Sequence, residues 1–208
     1  MGTYNRIAGQ SIERLAALSD GVFAVAMTLL VLDLRTPAAA AIHGEGALWH
    51  ALVALSPRLL VYLMSFLTLG IFWVGQQTQF NNFARSSRDL AWIHLGFLCA
   101  VTLMPFSTAL MAEFIAYRVA LVEYWANILL LGVILFASWR HATRAGLLKP
   151  GLPEGLGRWM ERRIVIAQAL YAVGALLCVF STYWSLGFIV VVQLNYAIAP
   201  RLGVLERL

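Results

Sequence analysis

Acidic side chains inside apolar stretches are the first candidates for chemistry in this sequence. Asp20 and Glu123 both stand in long apolar runs, and a charge at the centre of a bilayer costs at least about 2.5 kcal/mol. Asp20 follows Ser19 and lies six residues after Arg14, so a polar cluster near one membrane surface is the natural way to pair its charge. Glu123 lies near one end of its run, and we expect its carboxylate to reach water.

The motifs that carry enzyme chemistry are missing from the sequence. It contains no HExxH, GxSxG or Walker sequence. His43 and His50 have only Glu45 nearby, which makes a poor metal site. His94 lies inside an apolar run, where a buried hydrogen-bonding role is expected. We therefore predict that the protein is not an enzyme and has neither a cofactor nor a resident metal.

The composition predicts an all-α polytopic membrane protein. Of the 208 residues, 61% are hydrophobic and only 12% are charged, which is too much apolar surface for one soluble core. Helices are required because lipid cannot pair the backbone of an open sheet, and no alternating pattern suits a barrel. We predict one membrane domain, residues 1–208, with six spans at 15–34, 58–75, 90–111, 119–139, 164–180 and 184–199.

The basic residues lie between these spans and predict their orientation. With the amino terminus inside, three arginines fall outside, namely Arg35, Arg58 and Arg118. The other twelve basic residues fall inside, namely Arg6, Arg14, Arg85, Arg88, Arg140, Arg144, Lys149, Arg158, Arg162, Arg163, Arg201 and Arg207. This asymmetry predicts that both termini are cytoplasmic, and it explains the net charge of +5 without a nucleic-acid partner. An alternative, a cleavable export signal in the first run, is disfavoured by Asp20.

Local signals predict several boundaries and anchors. Ser11 is a plausible N-cap for a first helix from Ile12 to about Leu34. The segment ALWHALVAL predicts a short interfacial helix, and the last two spans should form a hairpin across a very short turn. Both cysteines lie inside spans, where we expect free thiols. Tryptophans at span ends are expected to anchor the protein at the membrane surfaces, namely Trp92, Trp139, Trp159 and Trp184.

One stripe of the first helix holds a single hydroxyl among aliphatic residues. At about 100° per residue the stripe contains Leu18, Gly21, Val25, Thr28, Leu29 and Leu32, with Ser19 and Asp20 turned toward its flanks. The stripe has two interpretations. It is either an ordinary packing face, with Thr28 bonded to the carbonyl of Ala24, or the lining of a narrow pore surrounded by several copies of the helix.

The sequence RLAALSDGVFAVAMTLLVLDL resembles the first-helix signature of the endosomal and lysosomal potassium-channel family, transmembrane protein 175, in its prokaryotic branch. Arg14, Ser19, Asp20 and Gly21 match the signature, whereas Leu18 replaces the usual phenylalanine. The segment FWVGQQTQF resembles the family's second-helix ending, and MPFSTAL resembles its proline segment. In the second-helix ending the tryptophan is kept, and glutamines replace a histidine pair, at Trp73, Gln76 and Gln77.

The resemblance implies a homotetramer of six-span subunits, with the first helix lining a central cation pore. Potassium would be the permeant ion. Carried over by position, the hydrophobic constriction falls at Val25, Leu29 and Leu32, and the hydroxyl ring that favours potassium falls at Thr28. The small side chain of Val25 leaves Leu29 or Leu32 as the tightest ring. Arg14, Ser19 and Asp20 would brace the first helix against its neighbours, while Trp73, Gln76 and Gln77 would pack the second helix.

These observations predict a potassium-preferring cation channel in the bacterial inner membrane. Its partners would be further copies of itself, membrane lipid, and potassium and other monovalent cations. The alternative is a non-conducting membrane scaffold or a small-solute transporter, for which the stripe is only packing. A transporter would favour broken helices with polar groups at the midplane, and the sequence has few.

Overall fold

The structure, a computed structural model, describes residues 11–198. Within that range the chain is helical apart from loops and one isolated bridge between Phe83 and Leu148. The α-helices are α1 Ile12–Leu29, α2 Glu45–Ala54, α3 Ser56–Asn82, α4 Arg88–Glu113, α5 Arg118–Arg144, α6 Leu156–Leu176 and α7 Thr182–Ile198. The six predicted spans fall on α1, α3, α4, α5, α6 and α7 in order, and α2 is the short helix that the sequence predicted before α3.

Five helical segments of the described chain are long and apolar enough to cross a membrane. They are α1 with its extension to Asp33, then α3, α4 and α5, and α6 with its extension to Val179. The sixth, α7, has 17 residues and is shorter than these. The chain is therefore a multi-pass, all-helical membrane protein.

The end of α1 differs from the prediction of a regular α-helix to about Leu34. The α-helix stops at Leu29 and a 3₁₀ turn follows over Leu30–Asp33, closed by a bond of 3.0 Å from the Leu34 nitrogen to the Val31 oxygen. Tightening into i→i+3 bonds satisfies carbonyls that a helix end would leave without partners. In a 3₁₀ turn residues three apart are aligned, so the turn places Leu32 in line with Leu29.

The helix ends meet in two groups at opposite ends of the bundle. At one end the α3–α4 loop pairs with the α5–α6 loop, where the Ala84 nitrogen donates to the Leu147 oxygen at 2.8 Å. Trp139 stacks on Phe83 there with ring centroids 6.0 Å apart and is completely buried. The prediction that Trp139 is a surface anchor was therefore wrong, because the two loops cover it. Trp92, Trp159 and Trp184 are exposed.

The opposite end of the bundle carries the arginines that the sequence assigned to the outside. Arg58 on α3 forms an ion pair with Glu113 on α4, and Arg118 donates to the Val179 carbonyl at 3.0 Å. The basic residues predicted to be inside lie toward the other end, except that Arg6, Arg201 and Arg207 fall outside the described residues.

The core forms where one face of α1 packs against α3 and α4. Phe23, Ala26 and Leu30 are buried on that face, and the Phe23 ring lies 6.0 Å from that of Phe97 on α4. Helix α4 continues through Pro105 without a break. This packing fixes which side of α1 is left uncovered.

Candidate functional site

The uncovered face of α1 carries the residues that the sequence proposed as pore-lining. Val25 is 58% exposed, Leu29 is 44% exposed and Leu32 is 68% exposed in the single subunit. Thr28 is exposed among them. Large aliphatic side chains on one uncovered stripe need a partner surface, and in a membrane that surface is lipid, another subunit or a pore.

The position of Thr28 relative to the buried face follows from the helix period. Nine residues separate Ser19 from Thr28, which is about two and a half turns at 3.6 residues per turn. Thr28 therefore points away from Ser19, which is completely buried. The expectation that Ser19 turns toward a flank of the stripe was wrong, since Ser19 lies at the centre of the buried face.

The other stripe positions lie around Thr28. Gly21 and Val25 lie beside it, and both face the same groove as Leu29. Leu29 and Val25 line a groove of about 450 Å³ that also includes Thr102 and Pro105 of α4. Helix α4 therefore bounds one side of the uncovered face.

The Thr28 hydroxyl is bonded within its own helix. Its Oγ1 lies 3.0 Å from the Ala24 carbonyl oxygen and 2.8 Å from that of Val25, and it donates one proton to this pair. The bond to Ala24 is the one that the packing interpretation predicted. Because the proton is used inside the helix, the oxygen lone pairs remain on the exposed side, where they can accept from water or contact a cation.

Asp20 is held by two donors from α3. The Trp73 indole nitrogen donates to Asp20 Oδ1 at 2.8 Å, and Gln77 Nε2 donates to the same oxygen at 2.9 Å. Trp73 and Gln77 lie four residues apart on α3, so they share one face of that helix. Both bonds have an ionised acceptor and are stronger than neutral ones.

Ser19 begins a buried chain of hydrogen bonds that crosses three more helices. Gln76 Nε2 donates to Ser19 Oγ at 3.0 Å and lies 3.3 Å from His94 Nδ1. His94 Nε2 lies 3.3 Å from Ser138 Oγ on α5. We call this set the brace, consisting of Ser19, Asp20, Trp73, Gln76, Gln77, His94 and Ser138. It fixes α1 against α3, α4 and α5.

Arg14 stands apart from the brace. Its backbone nitrogen is capped by Ser11 Oγ at 3.2 Å, as the N-cap prediction required. Its side chain is exposed and makes no hydrogen bond with another residue of the range 11–198. The predicted group of Arg14, Ser19 and Asp20 thus brings only its last two members together here.

A second buried polar cluster lies away from α1 and was not predicted from the sequence. Tyr124 on α5 accepts from Ser65 at 3.2 Å and lies 3.3 Å from Thr68. Thr108 donates to Ser65 at 2.7 Å, and Gln193 of α7 donates to Thr68 at 2.7 Å. Hydroxyls at Ser65 and Thr68, three residues apart within an apolar run, were the available signal.

Glu123 does not behave as the sequence suggested. Its Oε1 accepts from Ser107 Oγ at 3.0 Å, and its Oε2 is buried without a hydrogen-bond partner among the described residues. The carboxyl group is therefore turned inward to α4 instead of reaching water. Ser107 on α4 supplies the hydroxyl that stabilises this orientation.

The described residues contain no group of three His, Cys, Asp or Glu side chains suited to a metal ion. His43 is exposed, and His50 lies 2.7 Å from the Gly46 carbonyl oxygen of its own helix. Cys99 and Cys178 are both free thiols. The converging polar groups form hydrogen bonds between helices. The uncovered α1 stripe is therefore the candidate functional surface.

The chain is similar to known proteins over most of its length. The family model of the endosomal/lysosomal potassium channel TMEM175 matches residues 14–105. A potassium channel from Streptomyces collinus is 41% identical over 163 residues, which cover 76% of this chain and 78% of the relative. A potassium channel from Chamaesiphon minutus is 31% identical over 192 residues, covering 89% and 93%.

Two further comparisons extend the relationship. The human endosomal/lysosomal proton channel TMEM175 is 32% identical over 184 residues, which cover 83% of this chain and 36% of the human protein. The crystal structure of a lysosomal potassium-selective channel TMEM175 homolog from Chamaesiphon minutus matches with a TM-score of 0.78 and 28% identity, over 91% of this chain and 98% of that one. The chain is therefore a prokaryotic member of the TMEM175 channel family.

Proposed function

We propose that the protein is a potassium-preferring cation channel in which α1 from each of four subunits lines a central pore. Family membership supports a cation channel and not an enzyme, since the relatives carry channel names. The observation that carries the pore assignment is the uncovered stripe of α1, which is aliphatic except for Thr28. A single subunit cannot enclose this stripe, whereas symmetric copies around an axis can.

The aliphatic part of the stripe would act as a hydrophobic gate. Rings of Val25, Leu29 and Leu32 in a narrow pore exclude water, and an ion then faces a large cost of losing its hydration. The 3₁₀ turn places Leu32 in line with Leu29. The two leucine rings would therefore stack toward the outer mouth and form the narrowest part.

The Thr28 ring would give the preference for potassium. In a ring of four Thr28 residues, each hydroxyl proton would be donated to a carbonyl of its own helix. The lone pairs of the four hydroxyl oxygens are then free to replace part of an ion's water shell. Potassium gives up its hydration water more readily than sodium does. We expect modest selectivity, because hydroxyls are fewer than the carbonyl oxygens of a filter built from backbone.

The proposed assembly is a homotetramer of one membrane domain, residues 1–208, with six spans and both termini in the cytoplasm. The separation of basic residues between the two ends of the bundle supports this orientation. The bacterial relatives support the cell membrane as its location. In this assembly the brace would hold α1 in register within each subunit, away from the path of the ion.

The test is ion flux through the purified protein in liposomes, measured separately for potassium, sodium and protons. Protons are included because the human relative is named a proton channel. Thr28→Val should lower the potassium-to-sodium flux ratio. Thr78→Val is the matched control, since Thr78 makes the same bond to its i−4 carbonyl, at 2.8 Å, but lies on α3. An unchanged ratio in Thr28→Val overturns the hydroxyl role.

The alternative class is a non-conducting scaffold or a small-solute transporter. Native mass measurement distinguishes it, because a monomer cannot build the proposed pore. Tetramers without flux of any of the three cations would favour the scaffold. Saturable uptake of a neutral solute would favour the transporter.

A further inference from the structure

A groove of about 520 Å³ is lined by α3, α6 and α7, with Leu135 of α5. Its wall is mostly apolar and includes Phe66, Ile71 and Ile164, with Arg163 at one end. Sites for small molecules have volumes of roughly 300–1,000 Å³ and a few placed polar groups. We propose that this groove binds one acyl chain of an anionic glycerolipid, with the lipid head against Arg163.

Two glutamines, Gln79 and Gln168, lie in the wall of the groove. Gln79 is completely buried, and its Nε2 donates to the Leu135 carbonyl at 2.9 Å. Its Oε1 has no partner among the described residues, and the same holds for Gln168 Oε1. Both oxygens are enclosed by the protein, so the groove presents a mainly apolar wall to a ligand.

The charge at the mouth of the groove selects an anionic head. Arg163 lies on the second turn of α6, and its guanidinium sits 5.4 Å from the centroid of the Trp159 ring. This stacking holds the cation near the membrane surface without neutralising it. Basic pockets between membrane helices bind anionic lipid heads, so the charge favours such a lipid over a zwitterionic one.

The length of the groove fits an acyl chain. Along α3 it extends from Phe66 to Gln79, thirteen residues apart, which is roughly 20 Å at 1.5 Å per residue. One leaflet of hydrocarbon is about 15 Å thick, half of the roughly 30 Å core. A chain entering beside Arg163 would therefore run from the polar end of the groove to near the bilayer centre.

A helix of a second subunit would fill the groove less well. An apolar helix face brings no negative charge to meet Arg163. The charge of Arg163 would then be left at an apolar contact. An anionic lipid supplies a negative charge and an apolar tail together.

A lipid bound in the groove would affect the position of the pore helix α1 through Trp73. Trp73 lines the groove and also donates to Asp20 of α1. A bound chain would press on the indole that holds α1 in place. This regulatory consequence rests on the proposed channel function, whereas lipid binding itself does not.

The binding test is native mass spectrometry of the purified protein with phosphatidylglycerol, phosphatidylcholine or palmitate added in turn. We expect one phosphatidylglycerol retained per subunit, with at least tenfold weaker retention of phosphatidylcholine. Gly70→Leu should abolish retention, because Gly70 lines the groove and a Cβ there meets open space. Gly187→Leu is the matched control, since Gly187 is equally open, lies on α7 and does not line the groove.

The role of Arg163 in binding the lipid head is tested with Arg163→Gln. Arg162→Gln is the control, because Arg162 does not line the groove. Arg163→Gln should remove the preference for phosphatidylglycerol, and Arg162→Gln should keep it. Equal retention in Gly70→Leu and wild type overturns the site. Palmitate bound in preference to phosphatidylglycerol overturns the glycerolipid assignment, and so does a tetramer that retains no lipid. Lipid retained by a protein without ion flux would refute the channel proposal and leave the lipid site standing.

Discussion

Removing the indole donor from the brace gives the sharpest test of how α1 is held. Trp73→Phe keeps an aromatic ring and deletes the nitrogen that lies 2.8 Å from Asp20 Oδ1. A hydrogen bond to a charged group contributes about 1.5–3 kcal/mol. Asp20 keeps the donor from Gln77 at 2.9 Å and is exposed on its other side. We therefore expect a loss near the lower bound, about 1.5 kcal/mol in the free energy of unfolding.

The assay is a double-mutant cycle with Asp20→Ala, with unfolding followed by reversible titration with a denaturing detergent. Trp73→Phe should cost much less in the Asp20→Ala background, because the bond is already absent. Trp92→Phe is the control, since Trp92 lies exposed on α4 and should change stability by less than about 0.5 kcal/mol. Additive effects of Trp73→Phe and Asp20→Ala within about 0.5 kcal/mol would refute the bond as a brace.

Three further changes test other parts of the molecule. Gly174→Ala places a Cβ 2.9 Å from a side-chain carbon of α7 and should lower the unfolding free energy by about 1–3 kcal/mol. The control is Gly187→Ala, whose Cβ meets open space and should not lower the unfolding free energy. Arg58→Gln breaks the partly exposed pair with Glu113 and should cost less than about 1 kcal/mol, an effect that melting curves in high salt should erase. Leu32→Ala should raise cation flux in liposomes, and unchanged flux would contradict its role in the gate.

The helices could be predicted from apolar runs, but several of their ends could not. Helix α3 continues to Asn82, well beyond its apolar run, because Gln76 and Gln79 find partners on neighbouring helices. A count of apolar residues measures transfer into lipid and misses polar side chains that are satisfied inside the bundle. The change from α-helix to 3₁₀ turn at Leu30 also left no clear mark in the sequence.

The members of the brace on α1 and α3 could be named from the family signature, but their partners could not. Spacing along one helix shows that Trp73, Gln76 and Gln77 share a face. It cannot show that Gln76 meets Ser19, or that His94 joins them from α4, because those contacts depend on how separate helices pack. The burial of Ser19 was not predicted either, although the helix period places it opposite Thr28.

The two halves of α1 are held by different forces, and this bears on how the pore would open. Near its amino end, Ser19 and Asp20 are fixed by directional hydrogen bonds to α3. Beyond Phe23 the buried face rests on apolar packing of Ala26 and Leu30, and apolar contact has no preferred direction. We therefore expect the outer half to rotate or slide more readily than the inner half, with the brace as the fixed point. We expect the leucine end of the stripe to change its radius while Ser19 and Asp20 keep their partners.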